Sequence, residues 1–435
     1  MRNIILLAFL LSLIGCLLLD IPLISAMLLG YVLFAGYALH VGSSFCEIVS
    51  MTAASIWQIR MVLIVFVLIG MLTASWRASG TIPFIVSMAE SLIRPEIFPL
   101  LAFLLNAALS IMLGTSFGTV ATMGVICMSI GSVIDVPPAV TGGAVLSGIY
   151  VGDRCSPLST SALVVSSITQ TDIYDNLILM AKSAIRPLLI SCVLYLIIGI
   201  YISPSSLDID TTSIFSEHFN LSGWVLLPAL SIIIMSSFRI DVRKTMIVSL
   251  LLSCACCFLL QGMRADEIIT MLIKGYTSPD KSLQSMLGGG GIFSMKEPGI
   301  IISLSCSYAG FFQHVDILKD VKKSIDRLSG AVTLRGSVII VATLTSMIAC
   351  NQTLSSILTQ QLCSTLVPDK RQMMLAIENT AIVIAGLIPW SIACSVPLHT
   401  MGVSASAVFF AFYLFLQPFA GITSHTKKAS RKAAD

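Results

Sequence analysis

Asp153 and Glu378 are the two side chains whose surroundings ask for chemistry. Asp153 lies between the apolar run 144–151 and Pro157, with Arg154 beside it, in Gly152-Asp153-Arg154-Cys155-Ser156-Pro157-Leu158-Ser159. A charge at membrane depth costs roughly 2.5–3.5 kcal/mol on insertion scales and is functional by default. Burial makes a carboxylate easier to protonate and a bound cation makes it harder. Such a group can hold a proton or Na⁺ and exchange one for the other by competition. The plainer alternative is an interfacial Asp153–Arg154 pair closing a helix. Glu378 follows a helix start near Pro368-Asp369-Lys370-Arg371. It sits two turns in, roughly 10 Å at a rise of about 1.5 Å per residue, at interfacial or intramembrane depth. It reads as the counterpart of Asp153.

Oxygen donors gather near both acids. Thr115, Ser116 and Thr119 lie in the turn Gly114-Thr115-Ser116-Phe117-Gly118-Thr119; Ser156, Ser159 and Thr160 follow Asp153. Asn351, Gln352 and Thr353 form a third group, and Asn379 and Thr380 adjoin Glu378. Hard cations take hydroxyl, carbonyl and carboxylate oxygens together. Ser and Thr also pack membrane helices and bond their own backbone, so each has a structural alternative. The residues 114–118 fit G-x-S-x-G, a hydrolase pattern that works when a strand feeds a strained turn. Here the preceding sequence is helical and apolar, and only His314 and His399 could serve as bases, so a membrane serine hydrolase is the remote reading. No H-E-x-x-H occurs. The run Gly288-Gly289-Gly290-Gly291 lacks the Lys-Ser/Thr of a phosphate loop and reads as an irregular or flexible segment at the membrane surface. Cys254, Cys256 and Cys257 lie in an apolar run and read as packing residues. His314 is a candidate proton carrier. Arg77, Lys296 and Asp316 read as helix-end charges.

The elements that must position these residues are membrane helices. Of 435 residues 56% are hydrophobic and 11% charged, against about 25% charged in soluble domains, and mean hydropathy is +0.95. Apolar runs at 4–19, 61–74, 188–202, 225–235, 246–260, 338–348 and 408–415 approach the roughly 20 residues a bilayer requires. The alternating segments of a barrel are missing. Roughly 10–13 crossing elements are expected. The net charge of +3 is too small to suggest nucleic acid. Arg2, the cluster Arg239, Arg243 and Lys244, and the tail Lys427, Lys428, Arg431 and Lys432 belong in the cytoplasm by the positive-inside rule. Residues 13–16 imitate a lipoprotein cleavage box, but further spans follow at once, so the first run reads as a retained helix.

The hydrophilic stretch 203–220 divides the chain. The expected organisation is an N-terminal membrane helix over 1–21, a first transmembrane repeat over 22–202, an extramembrane linker over 203–220, a second repeat over 221–421 and a basic cytoplasmic tail over 422–435. In the first half, a helix around 61–76 precedes one ending near Asn106, the glycine turn at 114, and a helix broken at 152–159. In the second, helices around 298–312 and 333–349 precede Cys350-Asn351-Gln352-Thr353 and the element carrying Glu378 and Ile388-Pro389-Trp390. Paired interruptions expose backbone, which is tolerable at membrane depth only where it lines a cavity or binds something. Discontinuous helices in matching places of two repeats are a device of secondary transporters. The alternative, that Gly and Pro merely kink packed helices, stays open for any single break.

At GTSFGT (114–119), GDRCSPLS (152–159), NQTLSSILT (351–359) and ENTAIVIAGLIPW (378–390), the sequence resembles the NhaC family of Na⁺/H⁺ antiporters, over roughly 22–421. The resemblance implies an all-α polytopic membrane protein of two inverted repeats, each with a re-entrant hairpin and a broken helix. It implies a cation site near Thr115, Ser116, Asp153, Ser156, Ser159, Asn351, Glu378, Asn379 and Thr380. Many relatives carry Asp where this chain has Asn351, and an acidic pair in place of Glu378-Asn379. That leaves Asp153 and Glu378 as the proton-exchangeable groups. The expected function is Na⁺/H⁺ antiport by alternating access in the cytoplasmic membrane, with Thr119 and Gln352 among the ligands and the C-terminus in the cytoplasm. Na⁺ and H⁺ enter as transported ions, with no cofactor and no enzymatic reaction. The alternative cargo is an amino acid or small carboxylate, coupled to Na⁺ or H⁺. The surroundings are the lipid bilayer, and a homodimer is left open.

Overall fold

The computed structural model describes residues 2–19, 21–90, 94–202, 211–238, 240–280, 283–284, 287–314 and 333–420. The described residues are helices and connections, with one isolated backbone bridge between Tyr276 and Gly289. Among the described residues, five helices are long and apolar enough to cross a bilayer: Ile24–Val41, Arg60–Ala78, Pro95–Leu113, Ser116–Val133 and Ile173–Ile202. Shorter apolar helices of 10–17 residues, among them Thr160–Thr169, Leu334–Ala349 and Ile392–Met401, accompany them. The protein is an all-α polytopic membrane protein.

Its outer helices show how lipid changes the rules of patterning. In Ile173–Ile202 the buried positions are Asn176, Met180, Ala184, Pro187, Ser191, Tyr195 and Gly199. They recur every three or four residues and trace one stripe of a helix. Large apolar residues between them, such as Ile178, Ile185, Leu189 and Ile197, are exposed. Hydrocarbon solvates such side chains, so small and polar residues mark the packed face instead.

The centre is built from two helical segments buried all round. Pro138–Cys155 is buried continuously from Val140 to Arg154. It packs on Phe98–Leu113 through Gly148 and Gly152, one turn apart. A Cβ on Gly152 would lie 2.0 Å from the Ser110 carbonyl carbon, so only glycine allows this approach. The Ser110 hydroxyl donates to the Ile149 carbonyl across the same contact. The second segment, Lys370–Asn379, resumes after Thr380 as Ala381–Ala385, with residues 376–386 all buried.

The same local backbone recurs in both halves. Phe98–Leu113 ends at Gly114 in the left-handed region (φ 66), Thr115 is extended, and a helix restarts at Ser116. Leu334–Ala349 ends at Cys350, also left-handed (φ 56), Asn351 is extended, and a helix restarts at Gln352. A non-glycine residue there is strained by roughly 1–2 kcal/mol. The Asn351 side chain caps the restart, accepting from the Leu354 amide at 2.9 Å. Serines also stand at both later restarts: Ser159 before Thr160–Thr169 and Ser391 before Ile392–Met401, each two residues after a proline.

Several expectations are corrected. No break occurs at Asn106; its amide donates to the Ala102 carbonyl one turn back, and the helix runs to Leu113. In the register of those prolines and serines, Asp153 matches Ala385, and Glu378 matches Leu146. In that register the two acids do not coincide. Part of the stretch 203–220 is a helix, Thr211–His218, with Phe215 and Phe219 buried. The Gly288–Gly291 run does not lie free at a surface. Gly291 donates to the Gly70 carbonyl at 2.7 Å, and Arg77 donates to the Gly288 carbonyl. Arg239, Asp316 and the tail 422–435 lie outside the described residues, as does the side chain of His314.

Candidate functional site

The Asp153 helix ends because Pro157 follows: the residue before a proline is driven to extended backbone, and Ser156 has φ −102 and ψ 137. Asp153, one turn earlier, is 3% exposed. Its Oδ2 accepts from Gln352 Nε2 at 3.0 Å and from the Ser161 hydroxyl at 3.3 Å. The Ser116 backbone amide reaches the same carboxylate. Gln352 also donates to the Ile382 carbonyl at 3.1 Å. Both helix turns, after Leu113 and after Ala349, thus meet at one acid, together with the helix that follows the Pro157 break. Each turn contributes the first residue of its restarting helix, where amides point outward and favour an anion.

Arg154 takes no part in this cluster, and the alternative of an Asp153–Arg154 pair is not formed. The Arg154 side chain, fully buried, donates to Tyr413 Oη at 3.1 Å, Ser183 Oγ at 3.1 Å and Asn379 Oδ1 at 2.5 Å. Asn379 Oδ1 also accepts from Gln417 Nε2 at 2.8 Å and Ser183 Oγ at 3.2 Å. A second polar centre therefore lies beside the first, binding Ile173–Ile202, Lys370–Asn379 and the 412–419 segment together. Glu378 is fully buried next to it, and neither carboxylate oxygen has a hydrogen-bond partner among the described residues.

The other predicted residues divide between support and lining. Thr119 Oγ1 returns to the Thr115 carbonyl at 2.7 Å and Thr380 Oγ1 to the Ala376 carbonyl at 2.6 Å, so both hydroxyls are used by their own helices. Ser156 Oγ accepts from the Leu158 amide at 3.3 Å. Ser159 accepts from the Ala162 amide and donates to the Asp153 carbonyl, setting the break rather than facing the carboxylate. Asn351 is a helix cap. Asn379 belongs to the Arg154 centre. Of the predicted set, Gln352 and Ser116 reach Asp153. Ser161, eight residues past Asp153, was missed; a hydroxyl in the first turn after a break is the signal that could have found it. Ser183, Tyr413 and Gln417 gave no signal, because only long-range folding brings them to Arg154.

Two cavities lie among these elements, the first sharing Gln352 and Ser161 with the ring around Asp153, which itself lines neither. One, of about 380 Å³, is lined by Ser161, Gln352, Asn351, Thr353 and Cys306. The other, of about 550 Å³, is lined by Gly114, Thr115, Gly118, Leu158, Asp241 and Arg243. Val62, Phe117 and Thr160 border both. Asp241, at that mouth, caps helix Val242–Leu259. Its carboxyl is held below the usual carboxylate range by the Arg243 guanidinium, which donates to it at 2.9 and 3.0 Å.

The fold and site agree with what the chain resembles. The Na⁺/H⁺ antiporter family matches residues 4–178 and 148–423. The malate-2H⁺/Na⁺-lactate antiporter of Bacillus subtilis is 26% identical, over 86% of this chain and 82% of that protein. The Na⁺/H⁺ antiporter NhaC of Alkalihalophilus pseudofirmus is 28% identical, over 82% and 79%. The arginine/ornithine antiporter ArcD of Halobacterium salinarum is 26% identical, over 74% and 70%. A buried acid at the meeting of two helix turns, in a chain matched along most of its length, identifies a membrane transporter that belongs to the Na⁺/H⁺ antiporter family.

Proposed function

We propose that this protein exchanges Na⁺ for protons by alternating access, with Asp153 as the carboxylate that carries one or the other. The observation that carries this is a buried acid ringed by neutral donors, with no salt-bridge partner among the described residues; two of those donors, Gln352 and Ser161, line a cavity. A cation there would complete the charge that the ring leaves uncompensated. Gln352 now donates to Asp153; turning its amide presents Oε1, and with the Asp153 and Ser161 oxygens this forms a hard donor set. Protonated Asp153 needs no cation, so the two occupants exclude each other.

The recurring turns and breaks support two inverted repeats joined across 203–220, and the basic clusters support a cytoplasmic C-terminus. The donors around Ser116 follow a helical turn rather than a strand, which argues against the nucleophile geometry of a hydrolase. The test is Na⁺-dependent proton movement in proteoliposomes: Asp153→Asn should abolish it, and unchanged activity would overturn the assignment.

The cavity volumes favour one second reading. Either space exceeds what a dehydrated Na⁺ occupies and would admit an amino acid or small carboxylate, the cargo classes printed in the names of two relatives. Counterflow with a panel of such solutes separates the readings. Solute-specific exchange with no Na⁺/H⁺ exchange would select the second.

A further inference from the structure

The buried centre beside Asp153 holds two groups that each lack what the other offers. Arg154 is fully buried, yet its hydrogen bonds go to an amide, a phenol and a hydroxyl, all neutral, and its Nε has no partner among the described residues. Glu378, on the facing helix, is fully buried with both oxygens unpartnered among the described residues. The guanidinium already reaches Asn379, the residue next to Glu378, at 2.5 Å. A buried guanidinium without a counter-anion and a buried carboxylate without a donor are each costly alone. Together they describe one of two arrangements.

We propose that Arg154 is a tethered counter-cation that Glu378 captures on losing its proton, making Glu378 a proton site distinct from the Asp153 cation site and coupled to it. The structure corresponds to the protonated arrangement, in which neutral Glu378 leaves Arg154 on Asn379, Tyr413 and Ser183. When Glu378 releases its O–H proton to water, the new carboxylate accepts from the guanidinium Nε and a terminal nitrogen. Arg154 then leaves Asn379 Oδ1, which keeps Ser183 and Gln417 as donors. Because Arg154 adjoins Asp153 in the last turn of one helix, this exchange pulls directly on the cation ligand. Other groups facing the pair are few. Asp153 acts on Glu378 from the same helix end, and Cys155 and Tyr413 feel its charge. On the packed helix Ile173–Ile202, Lys182 and Arg186 are exposed, and Asp175 is engaged with Arg371 at the surface. On the Glu378 helix itself, Lys370 bonds Gln170. Gln352–Cys363 and Thr160–Thr169 bring no charged side chain.

The proposal builds on the exchange carboxylate argued above, and its test is chosen to be independent of cargo. The full-length protein is titrated in Na⁺-free detergent while infrared spectra follow the C=O stretch of protonated carboxylic acids. One component should vanish in Glu378→Gln and persist in Asp153→Asn. Its midpoint should rise by about one pH unit or more in Arg154→Gln, where the stabilising cation is gone, and return toward the parent in Arg154→Lys. Asn379→Leu removes the competing acceptor and should move the midpoint down, which serves if Arg154→Gln does not fold. A component insensitive to Glu378→Gln, or a midpoint unmoved by Arg154→Gln and Asn379→Leu, would overturn the proposal. Loss of Na⁺/H⁺ exchange with these shifts intact would instead reject only the cargo.

Discussion

Gln352 carries the sharpest expectation at the residue scale after Asp153 itself. A hydrogen bond to a charged group is worth about 1.5–3 kcal/mol, and Gln352 also supplies an oxygen when Na⁺ is bound. Gln352→Leu should therefore raise the Na⁺ concentration for half-maximal exchange about tenfold or more, while the protein still folds. Ser161→Ala, at a longer 3.3 Å contact, should act in the same direction and less strongly. Competition between H⁺ and Na⁺ at Asp153 has its own signature. Once protons dominate the site, each further pH unit of acidification should raise the apparent Na⁺ constant about tenfold. A pH-independent constant would place the proton elsewhere. Part of this site was legible in the sequence, since Asp153, Gln352 and the 114–119 turn could be selected by residue type. The separate destinations of Asp153 and Arg154 could not, because neighbours in sequence diverge by side-chain direction around a helix.

Between elements, the decisive contact is the approach of Pro138–Cys155 to Phe98–Leu113. Gly152→Ala puts a Cβ into the Ser110 backbone, and overpacking of this kind costs about 1–3 kcal/mol. Its melting temperature in detergent should fall. Gly36→Ala, whose Cβ would meet nothing within 4 Å, should be neutral or slightly stabilising by virtue of helix propensity. Asp241 provides a test at the cavity mouth. Its depressed carboxyl contributes stability above the ordinary carboxylate range, and that contribution is lost as pH falls through its folded value. Asp241→Ala should cost about 1 kcal/mol at neutral pH through the lost cap, and less in acid. The apolar runs and the Gly and Pro interruptions announced these elements. The helix runs on to Leu113 past Asn106, whose side chain bonds back along its own helix and interrupts nothing.

For the whole molecule, the expectation concerns ligand and stability together. A cation that binds the folded state stabilises it by about 2.7 kcal/mol at a hundredfold excess over its Kd. Na⁺ should thus raise the melting temperature of the purified protein relative to choline, and the rise should disappear in Asp153→Asn. No Na⁺ effect in the parent protein, with a shift from an amino acid or small carboxylate, would favour the organic cargo.

Membrane class, helical architecture, the positions of most breaks and the candidacy of Asp153 follow from the sequence, because hydrocarbon imposes long apolar runs and makes each interruption or charge conspicuous. Partnership was decided by tertiary structure alone. Folding brings Gln352 and Ser116 to Asp153 and draws Arg154 to Asn379, Tyr413 and Ser183. Those assignments depend on how helices rotate and slide against one another, and in a membrane that is governed by close contacts such as Gly152 on Ser110, which composition and periodicity do not encode.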